Sequence, residues 1–365
     1  MDVKSSENSQ SQDTCGWFSK CLKLRDFTGI GDDMGLASVF STTPVSSRIR
    51  KAFVLGAGMG TRLQPLTNLL PKPLLPIFGK PLITFAFDHL QRFGIREFIV
   101  NTHHLPEKIS AVFEAGTYWE APVNLVFEPV RLGTGGGMKN VEDQIGDEVF
   151  LVYSGDILTD VPLEMLVAEH FIKKNDVTIA LRTTGFPTSI SWSPKSGQIV
   201  DILGKLNSSH LDRYDFAGIS VWNPSVFSRL PSNESVSFIP LLSEWIQAGG
   251  KIGGVVMESN RWYNIGSRKE YLEVHRAIKI EGWSPGYVDH QTWPTTIEPS
   301  AQVASSSQIE GASYVGANCT VGPNVVLQNS ILLAGSSVTA GTQLHSCVVG
   351  GVNVTHGTYW ETDFV

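Results

Sequence analysis

From Lys51 onward, short apolar runs alternate with segments whose apolar residues recur every three to four positions. Ala52-Phe53-Val54-Leu55 predicts a buried strand that ends in glycines. Pro81 to Phe93 predicts a helix, with proline at its start, Leu82, Ala86, Leu90 and Phe93 on one face, and Gly94 as its stop. Further strands are expected at Glu97–Asn101, Leu125–Phe127, Val149–Tyr153 and Val177–Arg182, and further helices at Leu105–Glu114, Met138–Ile145 and Leu163–Lys173. This rhythm implies an α/β domain, a mostly parallel sheet with helices on both faces. Over residues 188–222 shorter strands predict an antiparallel insertion, and helices at Phe238–Gln247 and Arg268–Ile280 close the domain.

After residue 296 the period changes. Ile297, Val303, Ile309, Val315, Val321 and Leu327 are aliphatic at a spacing of six, with small residues Ala301, Ser307, Ser313 and Cys319 four positions after the first four. The period continues to Leu333, skips, and resumes at Val338 and Leu344. Three hexapeptides make one triangular turn of a β-helix, each aliphatic residue pointing inward and each small one filling a corner. A β-sandwich does not account for a period of six. The expected organisation is a disordered Ser-rich tail over 1–49, a catalytic domain over 50–280, a Gly- and Pro-containing linker over 281–296, and a β-helix over 297–365. A short amphipathic anchor at Trp17–Leu24 is the rival reading of the tail.

Composition narrows the function. With 28 basic against 35 acidic residues the chain carries a net charge of −7, which argues against nucleic-acid binding. A small phosphorylated substrate needs only a local basic cluster. The four cysteines are too scattered for a disulfide framework or zinc site, so a reducing cytoplasmic compartment is expected. Gly311 to Trp360 contains no Asp, Glu, Lys or Arg, yet has no run of apolar residues long enough to span a membrane. So uncharged a surface is expected to be covered, by the catalytic domain, by another subunit or by both, which predicts a homo-oligomer.

The chemistry-bearing stretch begins Gly56-Ala57-Gly58-Met59-Gly60-Thr61-Arg62-Leu63 and continues through Pro71-Lys72-Pro73. Glycines after a strand let backbone N–H groups approach phosphate oxygens. The spacing fits neither a Walker loop nor the dinucleotide fingerprint. Arg62 offers a planar fork for pyrophosphate oxygens and Lys72 a point charge. Alone, the glycines would suit a structural turn equally well. Together with Thr-Arg-Leu and Pro-Lys-Pro they resemble the sugar-phosphate nucleotidyltransferases, over residues 51–280, and the hexapeptide tail resembles the left-handed β-helix many members carry. Within that family the chain resembles mannose-1-phosphate guanylyltransferases and uridylyltransferases acting on a muramic-type sugar phosphate.

The resemblance implies a Rossmann-like catalytic domain that joins a nucleoside triphosphate to a sugar 1-phosphate and releases pyrophosphate, with GTP and mannose 1-phosphate as the first pair. It assigns catalysis to Arg62, Lys72 and Asp156, and phosphate contacts to Gly56, Ala57, Gly58, Gly60 and Thr61. In Glu128-Pro129-Val130-Arg131-Leu132-Gly133-Thr134-Gly135-Gly136-Gly137, it gives Gly133, Gly135 and Gly136 the framing of the base. In Tyr153-Ser154-Gly155-Asp156, Gly155 lies in the substrate site and Asp156 holds Mg²⁺, a hard cation suited to oxygen donors. Gly218 would leave room for the sugar ring. Lys205 either reaches the sugar phosphate or is a solvated surface lysine. The one departure is Asn264, where the family usually has an aspartate as second metal ligand. Helix capping is the alternative role for Asn264. A catalytically silent regulator that binds a nucleotide sugar, and an acyltransferase using the β-helix, are the rival functions. His103 and His104 are expected to be structural, and His345 and His356 to play no catalytic part.

Overall fold

The computed structural model describes residues 48–114, 121–183, 189–206 and 212–365. The expected tail up to residue 47, its Trp17–Leu24 alternative and parts of the 188–222 segment lie outside the described residues. At the start of the described residues, Ile49 is buried in the core and Arg48 sits over the Phe171 ring at 5.2 Å.

The N-terminal α/β domain is built from β1 (Lys51–Leu55), α1 (Leu82–Phe93), β2 (Glu97–Thr102), α2 (Pro106–Glu114), β3 (Val123–Phe127), α3 (Gly133–Lys139), β4 (Phe150–Ser154) and β5 (Ile157–Thr159). It continues through α4 (Leu163–Lys173), β6 (Val177–Arg182), β7 (Ile190–Ser193), β8 (Gln198–Ile202), β9 (Arg213–Trp222), α5 (Phe238–Gln247), β10 (Ile252–Val256), β11 (Trp262–Asn264) and α6 (Arg268–Lys279). Nine strands form one sheet in the order β3-β2-β1-β4-β9-β6-β10-β8-β7. β3, β2, β1 and β4 are parallel, as expected. The segment expected to be antiparallel is so. β7 and β8 form the edge, but β9 runs through the middle, antiparallel to both β4 and β6.

Alternate residues of the strands feed two cores, one on each face of the sheet. Ala52 and Val54 pack with Ile83, Phe87 and Leu90 of α1 and Leu166 and Val167 of α4. Phe53, Phe150 and Val152 pack with Met138 and with Phe238, Leu242 and Trp245 around α5.

Residues 302–364 form three four-stranded parallel sheets, the three walls of a β-helix consistent with the left-handed hexapeptide type. Val303 lies in register with Val321, and Ile309 with Leu327, eighteen positions on. Val315 then pairs with Leu332, not Leu333, so the six-residue spacing breaks one position earlier than the sequence pattern implied. Leu333 is freed to turn outward, where it joins Tyr314, Ile331 and Val348 in a third core with Phe78, Leu82, Phe85 and Tyr271 of the α/β domain. One wall of the β-helix is therefore covered by the α/β domain of the same chain. Segment 281–296 contains no helix or strand named above, yet it is pinned, with the Trp293 indole N–H donating to the Ile77 carbonyl at 2.8 Å.

Candidate functional site

The glycine loop leaves β1 at the edge where the parallel strands end, the position at which such sheets bind ligands. Gly56 N–H donates to Asn101 Oδ1 at 2.9 Å, and a Cβ on Gly56 would stand 2.7 Å from the Asn101 carbonyl. The loop can hug β2 only because that residue has no side chain. Gly60 adopts φ +61°, and the Thr67 hydroxyl donates to its carbonyl at 3.0 Å. The chain then makes a single tight turn over Thr61–Leu63 that leaves Arg62 exposed.

Lys72 heads a second tight turn, Lys72–Leu74, and is buried. Its ammonium pairs with Asp156 Oδ2 at 2.6 Å and donates to Asn264 Oδ1 at 3.0 Å. The cause of this convergence is a small antiparallel ladder. β5 begins one residue after Asp156, and Asn264 stands opposite Ile157 in its pairing with β11. Two segments more than a hundred positions apart thus deliver their side chains to one amine.

Two oxygen donors focused on one point, one charged and one neutral, fit a hard divalent cation that completes its shell with phosphate oxygens and water. Asp156 remains 39% exposed and accessible to such a ligand. Among the described residues no group of three or more His, Cys, Asp or Glu forms an all-protein cage. Helix capping does not explain Asn264. The N-cap of α6 is Ser267, whose hydroxyl accepts from the Glu270 N–H while Glu270 returns bonds to Gly266 N–H and to the Ser267 hydroxyl.

A cleft of about 520 Å³ is lined by Ala57, Gly58, Gly60, Thr61, Arg62, Lys72, Gly133 and Asp156 from the sequence-derived set. It adjoins a second hollow of about 630 Å³ that shares Arg62 and Asp156 and adds Gly218 and Asn264. Gly218 has φ +85°, and a Cβ there would meet Ile157 Cδ1 at 3.0 Å.

Five sequence-derived residues do not line either hollow. Gly56 and Gly155 are backbone-packing glycines; Gly155 N–H donates to the Leu55 carbonyl at 2.9 Å. Gly135 and Gly136 are not a loop but part of helix α3. Both N–H groups donate to the Val236 carbonyl, and a Cβ on Gly136 would fall 2.1 Å from the Glu234 carbonyl. They admit segment 234–237, and Ser235, Val236 and Ser237 line the cleft instead. Lys205 also fails to join the site, lying on an exposed turn after β8.

Sequence reasoning missed the scaffold behind the cleft. Glu128 is fully buried; its carboxylate accepts from Asn101 Nδ2 at 2.7 Å and from Leu132 N–H at 2.9 Å. Asn101 thereby ties the glycine loop to the start of α3. A Pro after an acidic residue carries no signal of such burial. The histidines are structural: His103 Nδ1 bonds the Glu128 carbonyl at 2.8 Å and His104 Nε2 the Thr67 carbonyl at 2.6 Å. His345 stacks on Trp360 and bonds Gln328 Oε1 at 2.9 Å, and His356 Nδ1 bonds the Ala340 carbonyl at 3.1 Å.

A family model described as Nucleotidyl transferase matches residues 51–281, and one described as GMPPB C-terminal domain matches residues 292–359. The chain belongs to the nucleotidyl transferase family. A mannose-1-phosphate guanylyltransferase of Mycobacterium tuberculosis is 32% identical over 60% of this chain and 62% of its own. A UTP–glucose-1-phosphate uridylyltransferase of Synechocystis is 28% identical over 62% of this chain and 63% of its own. An N-acetylmuramate α-1-phosphate uridylyltransferase of Neisseria meningitidis is 29% identical over 53% of this chain and 83% of its own. The chain therefore matches somewhat under two thirds of the first two relatives. The crystal structure of HddC from Yersinia pseudotuberculosis shares the fold, with TM-score 0.52 at 20% identity, covering 62% of this chain and 98% of that one. Members of the family generally use a divalent metal.

Proposed function

We propose that this chain joins a nucleoside triphosphate to a sugar 1-phosphate and releases pyrophosphate. The observation that carries the reading is the Lys72 ammonium held between Asp156 and Asn264 beside the glycine loop. GTP with mannose 1-phosphate is the first pair, in keeping with the name of the mycobacterial relative. A uridylyl transfer to another sugar 1-phosphate is the alternative, in keeping with the uridylyltransferase relatives.

In this mechanism a sugar phosphate oxygen attacks the α-phosphorus in line. A new P–O bond forms, the bond to the bridging oxygen of the β-phosphate breaks, and pyrophosphate leaves with the electron pair. The attacking oxygen is already deprotonated at neutral pH, so no general base is needed. Catalysis then rests on positioning and charge neutralisation. Arg62, on the rim shared by both hollows, meets the triphosphate as an exposed fork, while buried Lys72 holds its charge at a fixed point. The cation we assign is Mg²⁺, which Asp156 and Asn264 would hold and which neutralises phosphate charge when bound.

A silent nucleotide-sugar-binding regulator is the second reading, favoured by the neutral Asn264. Pyrophosphate release measured across nucleotides and sugar phosphates separates the two. A homo-oligomer through the β-helix walls that the catalytic domain leaves uncovered is also proposed, to be tested by sedimentation. Among the described residues no helix is long and apolar enough to cross a membrane.

A further inference from the structure

Two contacts join the end of the β-helix to the segments that carry the reacting groups, and the motifs account for neither. The first runs through the start of α6. Gly266 N–H donates to the Asn264 carbonyl at 2.8 Å and to Glu270 Oε2 at 3.0 Å, so Asn264 and the first turn of α6 form one tied unit. The Arg62 guanidinium rests on that unit: a Cβ on Gly266 would stand 2.5 Å from Arg62 Nη2 and 2.8 Å from its Cζ. Two cations, Arg268 and Lys269, stand in the first turn of α6, where the helix dipole disfavours positive charge. Lys269 is exposed to water, whereas Arg268 is turned onto Asp363 in the last strand of the β-helix, Nη1 to Oδ1 at 3.3 Å. That Asp363 oxygen is buried and accepts no hydrogen bond among the described residues, so the charge of the arginine is what compensates it.

The second contact runs through the helical turn Leu66–Leu69. A Cβ on Gly350 would stand 2.9 Å from Leu69 Cδ1 and 3.6 Å from Leu66 Cδ2, so the β-helix backbone lies directly against this turn. Thr67, within the turn, donates its hydroxyl to the Gly60 carbonyl in the phosphate loop. Gly350 N–H donates to the Phe364 carbonyl at 2.7 Å, which ties this contact to the residue after Asp363.

Arg62 is where the two contacts meet. It follows Gly60 by two positions and lies against Gly266. An exposed arginine keeps much of its side-chain freedom, and a charge neutralises a developing charge only where it is held. A brace that narrows where the guanidinium can lie contributes to transfer from outside the site.

We propose that the end of the β-helix positions Arg62: Asp363, through Arg268, holds the Asn264–Gly266 turn on which the guanidinium rests, while Gly350 backs the turn that Thr67 ties to Gly60. Asp363 and Arg268 are positioning residues, which touch no substrate. This rests on the nucleotidyltransferase reading and gives the second domain a part in it.

The test is a double-variant cycle in the full chain, with Asp363→Asn, Arg62→Ala and the two combined, assayed with GTP and mannose 1-phosphate or with whichever pair wild type turns over fastest. Asp363 is the partner to change, because Arg268 can still be solvated, whereas losing the arginine would leave a buried carboxylate unpaired. Asp363→Asn should lower kcat about 3- to 30-fold. In the Arg62→Ala background the same change should cost less than about twofold, because the group it places is gone. A brace that only joins the domains would cost the same in both backgrounds. Gly266→Ala, whose methyl takes the place of the guanidinium, should reproduce the kcat loss with a melting temperature near wild type. Equal losses in both backgrounds, a wild-type kcat in Asp363→Asn, or an unchanged kcat in Gly266→Ala would overturn the proposal. A wild type that turns over no pair would sink the transfer reading instead. The same cycle is then read on the dissociation constant of the tightest-binding of the four common nucleoside triphosphates. There, coupled losses support the role of Asp363 and independent losses overturn it; a protein that binds none overturns both readings.

Discussion

Lys72 and Asn264, 192 positions apart, share a 3.0 Å hydrogen bond, and the same ammonium pairs with Asp156 at 2.6 Å. The neutral amide therefore stands where a second carboxylate would compete for the same lysine. Asn264→Asp should add one negative charge at the focus of the oxygen donors. At about 1 kcal/mol for a partly hydrated contact, half-saturating Mg²⁺ should fall roughly fivefold to tenfold without loss of turnover. A magnesium titration of both forms checks this; superimposable curves would remove Asn264 from the metal site.

Arg62→Ala should lower kcat by about 10²–10³ while leaving the melting temperature near wild type, because the side chain is exposed and its work is electrostatic. Lys72→Met should cost as much activity. It also releases Asp156 and Asn264 from their common partner, so this variant should lose cooperative binding of metal and triphosphate as well. Steady-state kinetics and calorimetry on the two variants separate the effects.

The glycines divide by what a methyl group would strike. A Cβ on Gly58 meets nothing within 4 Å, whereas one on Gly56 lies 2.7 Å from a backbone carbonyl and one on Gly136 lies 2.1 Å from another. Gly58→Ala should fold normally. Gly56→Ala and Gly136→Ala should each cost about 1–3 kcal/mol and weaken nucleotide binding, since both shift a wall of the cleft. Urea midpoints and nucleotide titrations report the two consequences.

This difference shows where the sequence could and could not be read. The motif identified a glycine-rich phosphate loop because the residue types themselves state the chemistry. It did not distinguish glycines that face a ligand from Gly135 and Gly136, which yield to the 234–237 segment a hundred residues away. Burial of Glu128 behind Asn101, and Arg182 over Trp262, are likewise products of tertiary neighbours. Helix α4 and strand β6 were legible to the residue because their apolar periods were long and their ends marked. Placing β9 at the centre of the sheet was not, because pairing order leaves no local pattern. In the β-helix the aliphatic period carried the architecture, and what escaped it was the shortening from Leu332 onward, to seventeen positions per turn and then to sixteen and fifteen in the last turn.

Buried histidines predict acid sensitivity. Burial holds His89 down to about 3 and His275 to about 4, each opposed by a backbone hydrogen bond. Unfolded, both titrate near 6.5, so below that pH the unfolded chain binds protons that the folded one refuses. Their contribution is intact above about pH 6.5 and is lost progressively as pH falls toward the folded values. At pH 5 each histidine should have cost about 2 kcal/mol of stability. Urea midpoints at pH 7.5 and pH 5 should differ accordingly, and His89→Gln should flatten part of that slope; a profile unchanged between the two pH values would contradict the assignment.

The central claim is that the cleft between the glycine loop and the Lys72–Asp156–Asn264 cluster transfers a nucleotidyl group. Pyrophosphate release with purified protein, Mg²⁺, each of the four common nucleoside triphosphates and a set of hexose 1-phosphates tests it most directly. The account predicts stoichiometric pyrophosphate and nucleotide sugar with one favoured pair, GTP with mannose 1-phosphate first, and loss of both products in Arg62→Ala. Tight binding of a nucleotide sugar with no pyrophosphate from any pair would contradict it.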